Sequence, residues 1–121
     1  MEKQKLRAGI LVPSDRISAG VYEDQSGRDA RALLEPVADV VEMAVVPDER
    51  DRIRNILIAW CDEKKLDVVF TLGGTGLGPR DVTPEATRDA IERELPALIT
   101  ALLVQGLAST KRALLSRAVA A

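Results

Sequence analysis

The fold is decided by residues 67–88, which read DVVFTLGGTGLGPRDVTPEATR. The first part, Asp67–Leu72, is a short apolar run of β-branched and aromatic residues, which is typical of a fully buried, central parallel strand. A glycine-dense loop follows. Thr83 and Pro84 then predict a helix start, with Thr83 as the N-cap and Pro84 at the first helical position. The predicted order is strand, glycine loop, helix.

The glycine loop has the properties of an anion-binding site. Glycines let backbone N–H groups approach an anion without a Cβ atom in the way, and the helix start adds partial positive charge. Two threonine hydroxyls and one guanidinium in the same stretch can donate hydrogen bonds to a phosphate. The candidate phosphate-binding residues of this stretch are Gly73, Gly74, Thr75, Gly76, Arg80 and Thr83.

Asp81 is unexpected in this setting, because a carboxylate repels a bound anion. Its presence is explained if it faces Mg²⁺, or if it caps a nearby backbone group. A second interpretation therefore stays open, in which the glycines only form a tight turn and Asp81 only caps it. The stretch is neither a Walker A loop, which needs a lysine, nor a dinucleotide fingerprint, since Gly74, Gly76 and Gly78 have a different spacing.

Composition places residues 1–121 in one domain with room for a single core. A net charge of −2 does not indicate a surface that binds nucleic acid. No apolar run is long enough to cross a membrane. The one cysteine, Cys61, lies in a helical pattern and is predicted to be packed, which excludes a disulfide framework and fits a cytoplasmic protein.

The chain contains no histidine. This excludes Ser–His and Cys–His nucleophilic chemistry and the commonest zinc sites. Any catalysis must therefore use carboxylates, hydroxyls, basic side chains, backbone dipoles or a metal that prefers oxygen ligands.

Two more predicted strands end in polar residues. Arg7–Val12 leads to Ser14 and Asp15, and Val40–Val46, with alternate residues facing inward, leads to Asp48. Parallel sheets bind ligands at the carboxyl ends of their strands, so we expect these loops and the glycine loop to share one crevice. For the first loop, a simple cluster of turn-forming residues remains an equal alternative.

Helices are predicted between the strands. The apolar segment Leu98–Leu107 forms a stripe that is predicted either to join the core or to contact a neighbouring subunit. Alternation of strands and helices predicts an α/β fold, a three-layer α/β/α domain with a mostly parallel central sheet. The predicted helices are Arg28–Leu34, Asp51–Lys65 and Thr83–Glu94.

These motifs resemble the molybdenum cofactor biosynthesis family, the MogA/MoaB type of molybdopterin adenylyltransferases. The most specific match is Gly73-Gly74-Thr75-Gly76 followed by residues 80–86, RDVTPEA. Residues 14–27 resemble the family's first loop, Pro47-Asp48-Glu49 its second, and Leu115-Ser116-Arg117 a later motif. All of them occur in family order.

The resemblance implies a reaction in which molybdopterin and ATP give adenylylated molybdopterin and pyrophosphate with Mg²⁺. It also implies a cytoplasmic homotrimer or hexamer. Asp48 and Asp81 would be the catalytic residues and metal ligands. The glycine loop would contact the ATP phosphates, while Ser14, Asp15 and Ser116 would shape the nucleotide and pterin region.

The chain departs from the family pattern at its end. The family continues beyond its Leu-Ser-Arg motif into another strand, an Asn-x-Pro-Gly-x-Pro loop and a helix, and we expect that part to be lacking here. Two alternatives follow. One is a non-catalytic module that binds molybdopterin or a nucleotide and forms oligomers, and the other is a nucleotide pyrophosphatase of the CinA type.

Overall fold

The computed structural model describes residues 5–121, so residues 1–4 of the predicted domain lie outside the described part. Three parallel strands form one sheet in the order β2-β1-β3. Their bounds are Leu6–Pro13 for β1, Ala38–Val46 for β2 and Val68–Thr71 for β3. The helices are α1 (Asp15–Ser18), α2 (Gln25–Leu34), α3 (Arg50–Asp62), α4 (Thr83–Ala90) and α5 (Pro96–Leu107), followed by a 3₁₀ helix at Lys111–Leu115.

The prediction that residues 67–72 form the central, fully buried strand is wrong. The central strand is β1, whose residues from Ala8 to Pro13 are all buried, whereas β3 is an edge strand with Phe70 exposed. β1 is central because it pairs with both β2 and β3. At Gly9 of this strand, a Cβ atom would lie 2.7 Å from the Trp60 ring and 2.8 Å from Leu66. Only a glycine lets the indole pack directly onto this strand.

The core lies between β1 and the helices α3 and α4, which contact each other. Alternate residues of a strand face opposite sides, so β1 also presents Ala8, Ile10 and Val12 to the other face, and α2 contacts β1 and β2. The predicted three-layer α/β/α fold is confirmed. The core cluster consists of Leu11, Val46, Ile53, Leu57, Trp60, Leu66 and Ala86.

One prediction of a buried side chain is wrong: Cys61 is exposed. For the Leu98–Leu107 stripe, one of the two predicted alternatives is excluded. The Leu98–Leu107 stripe is not core: α5 contains no buried residue, and Leu98 and Leu102 are about half exposed. Among the described residues, no helix combines the length and the apolar character needed to cross a lipid bilayer.

Helix α4 is shorter than predicted. It ends at Ala90, and Ile91 has an extended conformation instead of continuing towards Glu94. The chain then runs to Leu95, whose N–H donates a hydrogen bond to the carbonyl oxygen of Ala120. The helix thus ends well before the proline at position 96, and the segment between them contacts the C-terminal residues.

Candidate functional site

Three loops meet at the carboxyl edge of the sheet. Each follows a strand, and because the strands are parallel their ends point the same way. The first loop contains Ser14 and Asp15, the second Asp48, and the third the glycine loop. The Ser14 N–H donates to the carbonyl oxygen of Val46, which joins the first two loops directly.

Asp15 and Asp48 connect these loops further. The N–H of Asp15 donates to Oδ2 of Asp48 at 3.0 Å, and the N–H of Asp48 donates to Oδ1 of Asp15 at 2.9 Å. Each carboxylate thus holds the backbone of the other loop. This reciprocal pair fixes the direction in which the Asp48 carboxylate points.

Arg80 joins the third loop to the first. Its Nε and Nη2 atoms donate to the two oxygens of Asp15, each at 3.0 Å, in a bidentate pair. The Arg80 guanidinium, together with the Asp48 N–H, lowers the pKa of Asp15. The sequence predicted this guanidinium on a phosphate, and in this structure it holds a carboxylate instead.

Asp48 has the most unusual environment of the site. Its Oδ1 is buried and has no hydrogen-bond partner among the described residues. Burial raises the pKa of Asp48, and the charges of Asp15 and Asp81 act in the same direction against the hydrogen bond from the Asp15 N–H. A Cβ atom at Gly74 would lie 3.2 Å from this oxygen, so the oxygen faces the glycine loop.

Residues 73–76 of the glycine loop have bonded carbonyl groups, while three amides of the loop have no acceptor among the described residues. Gly73 and Gly74 have φ angles of 103° and 70°, which other residues rarely adopt. The carbonyls from Gly73 to Gly76 all accept hydrogen bonds, two from Thr83 and two from Arg117. Within residues 5–121, the N–H groups of Gly74, Thr75 and Gly76 donate none. Such a row of unbonded N–H groups is a binding surface for an anion.

Asp81 shapes the far end of the same loop. Its Oδ2 accepts the N–H of Gly78 at 2.9 Å, which is the capping contact that the sequence left open. Cβ atoms at Gly76 and Gly78 would lie 2.9 and 3.0 Å from this oxygen. Both acidic residues therefore face the glycine loop, Asp48 at Gly74 and Asp81 at Gly76.

A cavity of about 340 Å³ opens beside Asp48, between the start of α3 and the end of the glycine loop. Its volume falls in the range of small-molecule sites. Asp81 does not line it. The lining residues are Asp48, Glu49, Arg50, Asp51, Pro79, Arg80 and Val82.

Thr83 has a different role from the predicted N-cap, which is Val82. Thr83 is 2% exposed. Its hydroxyl donates to the carbonyl of Gly73 at 2.8 Å, and its N–H donates to the carbonyl of Gly74 at 3.1 Å. Its hydroxyl and its N–H together hold two consecutive glycine carbonyls against the start of α4.

The two predicted site serines lie in different places. Ser14 is near Asp15 and Asp48, where its Oγ accepts the N–H of Ile17 and caps α1. Ser116 is not brought to Asp48. It lines a separate, mostly apolar groove of about 220 Å³ together with Ile99, Leu102, Leu103, Ala113 and Ala118.

Sequence reasoning missed Arg117 as a site residue. Its backbone N–H and its guanidinium contact the glycine loop and α4 from the C-terminal segment. The only signal was its place beside Ser116 in the Leu-Ser-Arg motif, because a residue 41 positions after Gly76 has no pattern that pairs the two.

The fold and the site together define an open α/β domain whose strand-end loops converge beside a glycine-rich loop with unbonded amides. Residues 9–119 match the family described as "Probable molybdopterin binding domain". The chain belongs to this family, as the motifs predicted.

Known proteins similar to the chain are molybdopterin biosynthesis proteins. It is 42% identical over 117 residues to a molybdopterin adenylyltransferase of Helicobacter pylori, with 94% of the chain covered. The crystal structure of the molybdopterin biosynthesis enzyme MoaB from Thermus thermophilus has a TM-score of 0.87 and 42% identity, and the match covers 94% of this chain and 72% of that one.

The matches differ in how much of each protein they cover. The chain spans 66% of the length of the Helicobacter pylori protein. A CinA structure from Thermoplasma acidophilum has 22% identity and a TM-score of 0.66, with 75% of this chain and 53% of that one covered. At that identity it shows a shared fold alone.

Proposed function

We propose that the chain acts in molybdenum cofactor biosynthesis and transfers the adenylyl group of ATP to molybdopterin, releasing pyrophosphate. The observation that carries the proposal is the row of unbonded N–H groups from Gly74 to Gly76 beside the buried Oδ1 of Asp48. The identity to a molybdopterin adenylyltransferase over most of the chain supports the choice of reaction.

The glycine loop would bind the ATP phosphates. Its unbonded amides lie at the end of a strand and close to the start of α4, where the helix dipole favours negative charge. Arg80 belongs to that loop, and its side chain is 59% exposed, so it can reach a phosphate if it releases Asp15.

Asp48 and Asp81 would hold Mg²⁺. No group of three or more carboxylate, thiolate or imidazole side chains suited to a metal occurs within residues 5–121. This fits Mg²⁺, which proteins often bind through one or two carboxylates while substrate phosphates and waters complete the shell. The buried, unpartnered Oδ1 of Asp48 is the oxygen best placed for this role. When bound, Mg²⁺ neutralises charge that develops on the phosphates.

The chemistry suits a site without histidine. Adenylyl transfer forms a bond from a phosphate oxygen of molybdopterin to the α-phosphorus of ATP and breaks the bond to pyrophosphate. Positioning and charge stabilisation contribute most of the acceleration in such transfers. The chain supplies the positioning through loops that are cross-linked by Asp15, Asp48 and Arg80.

The proposal includes assembly and location. The exposed apolar surface of α5, with Leu98, Leu102 and Val104 more than half exposed, supports a homotrimer or hexamer. We propose a cytoplasmic setting, as for the biosynthesis of a cofactor from ATP.

The test is to incubate the purified protein with ATP, Mg²⁺ and molybdopterin and to measure adenylylated molybdopterin and pyrophosphate. We expect product from the wild type and from Asp62→Asn, an exposed carboxylate at the end of α3. Asp81→Asn should retain its fold and lose turnover. Folded wild-type protein that forms no product above a no-enzyme control would reject the proposal.

One observation favours a second candidate, a module that binds without turnover. Asp81 bonds to the Gly78 N–H and does not line the cavity that Asp48 lines. Calorimetric binding of ATP or molybdopterin with no product would support this candidate.

A further inference from the structure

Arg117 makes more hydrogen bonds to the glycine loop than any residue of the flanking elements β3 and α4. Its N–H donates to the carbonyl of Thr75 at 2.8 Å, and its Nε to the carbonyl of Gly76 at 2.8 Å. Its Nη2 donates to the carbonyl of Asp81 at 2.6 Å. One residue thus fixes three carbonyls along the loop.

Glu85 holds the guanidinium in place from α4. The Arg117 Nη1 lies 2.7 Å from Oε1 and 3.2 Å from Oε2 of Glu85. Both side chains are about two-thirds covered, at 36% and 29% exposed. A rigid, partly covered guanidinium fork of this kind holds its acceptors in a fixed geometry.

The contacts occupy most of the Arg117 guanidinium. Each of its three nitrogens already has an acceptor in the protein. Its effect on the loop is geometric: a peptide group whose carbonyl is held on one side directs the N–H of the next residue to the other side. The carbonyls of Thr75 and Gly76 are bonded to Arg117, so the N–H groups of Gly76 and Leu77 are directed away from it, and neither has an acceptor within the described chain.

We propose that Arg117 is a positioning residue, which holds the peptide groups after Thr75 and Gly76 so that the amides of Gly76 and Leu77 face a phosphate ligand. The inference rests on the proposed function, because it assigns a phosphate to those amides. The inference adds that one side chain of the C-terminal segment determines the affinity of the glycine loop for the phosphate.

The experiment measures binding of ATP and of inorganic pyrophosphate, each with Mg²⁺, by calorimetry. The variants are Arg117→Lys and Arg117→Gln. Lysine keeps the positive charge but cannot reproduce the fork. The matched control is Arg88→Gln, which breaks the exposed pair between Arg88 of α4 and Glu94 in the segment after it, and which touches no loop carbonyl.

We expect both Arg117 variants to weaken binding of both probes by about tenfold or more, a loss of about 1.4 kcal/mol, while Arg88→Gln binds like the wild type. Amide resonances of Gly76 and Leu77 should shift in the ligand-free Arg117 variants and not in the control. Glu85→Gln, which keeps the arginine, should weaken binding by a smaller factor, and it serves as the test if the Arg117 variants do not fold.

Three outcomes overturn the inference in different ways. Wild-type affinity in Arg117→Lys would mean that charge alone matters. Wild-type affinity in all variants, with a bound phosphate in the wild type, would overturn the positioning role and leave the proposed function standing. If the folded wild type binds neither ATP nor pyrophosphate, the proposed function and the positioning role are both rejected.

Discussion

Asp15 and Asp48 each accept a hydrogen bond from the backbone N–H of the other, at 2.9 and 3.0 Å. Two carboxylates at such close range would repel each other if nothing compensated. Here the two amides and the bidentate Arg80 offset the repulsion. The pair joins two loops that are 33 residues apart in the chain.

Asp15→Ala should destabilise the protein more than Asp15→Asn. The alanine leaves the partly buried N–H of Asp48 without an acceptor, which costs about 1 to 3 kcal/mol. The asparagine keeps an acceptor and loses only an exposed ion pair, which is worth about 1 kcal/mol or less. Urea unfolding of the two variants measures the difference, and equal losses would contradict the role of the reciprocal pair.

Asp48→Asn should remove turnover without lowering stability. Burial raises the pKa of Asp48, so the folded state disfavours its charge, and a neutral amide removes that penalty. The asparagine oxygen can still accept the N–H of Asp15. We expect an equal or higher melting temperature without Mg²⁺ and a fall in turnover of about 100-fold or more. A clear drop in melting temperature would show that the carboxylate is structural.

Gly74→Ala should destabilise the protein more than Gly20→Ala does. Both glycines have a positive φ angle, 70° and 80°, so both alanines carry backbone strain of about 1 kcal/mol. A Cβ atom at Gly74 would also collide with the hydroxyl of Thr83, whereas one at Gly20 has no atom within 4 Å. Thermal unfolding measures the stability that each variant loses, and the larger loss for Gly74→Ala than for Gly20→Ala reports that collision.

Acid should weaken the contact between Glu85 and Arg117. The hydrogen bond from Arg117 lowers the pKa of Glu85 in the folded state below its ordinary value of 4.5. A depressed pKa stabilises the fold above that value, and the stabilisation is lost as the pH falls through the folded pKa. Between pH 6 and about pH 3, the free energy of unfolding should therefore fall less for Glu85→Gln than for the wild type. Identical slopes would contradict the contact.

The sequence predicted where the strand-end loops meet better than it predicted the sheet. The glycine loop, a helix start within one residue of the observed one at Thr83, and the three loops after the strands all follow from local patterns. Because parallel strands end at one edge, these patterns also predicted that the loops meet, and the contacts among Asp15, Asp48 and Arg80 confirm it.

The failures come from long-range packing. An apolar run does not indicate where a strand lies within a sheet, so the sequence predicts that Phe70 lies in the central strand. In the structure Phe70 is exposed, and Gly9 makes β1 the strand that Trp60 covers. The same limit applies to Arg117, whose acceptors are 32 to 42 residues away. The apolar residues of α5 predict burial, and the described residues leave Leu98 and Leu102 half exposed.

The central claim is that the loop amides bind the phosphates of ATP. The most direct measurement is the shift of the backbone amide resonances when ATP and Mg²⁺ are added to isotope-labelled protein. We predict large, saturable shifts at Gly74, Thr75 and Gly76, reduced in Asp48→Asn, with little change at Gly20. Saturable shifts confined to other residues, with these three unmoved, would contradict it.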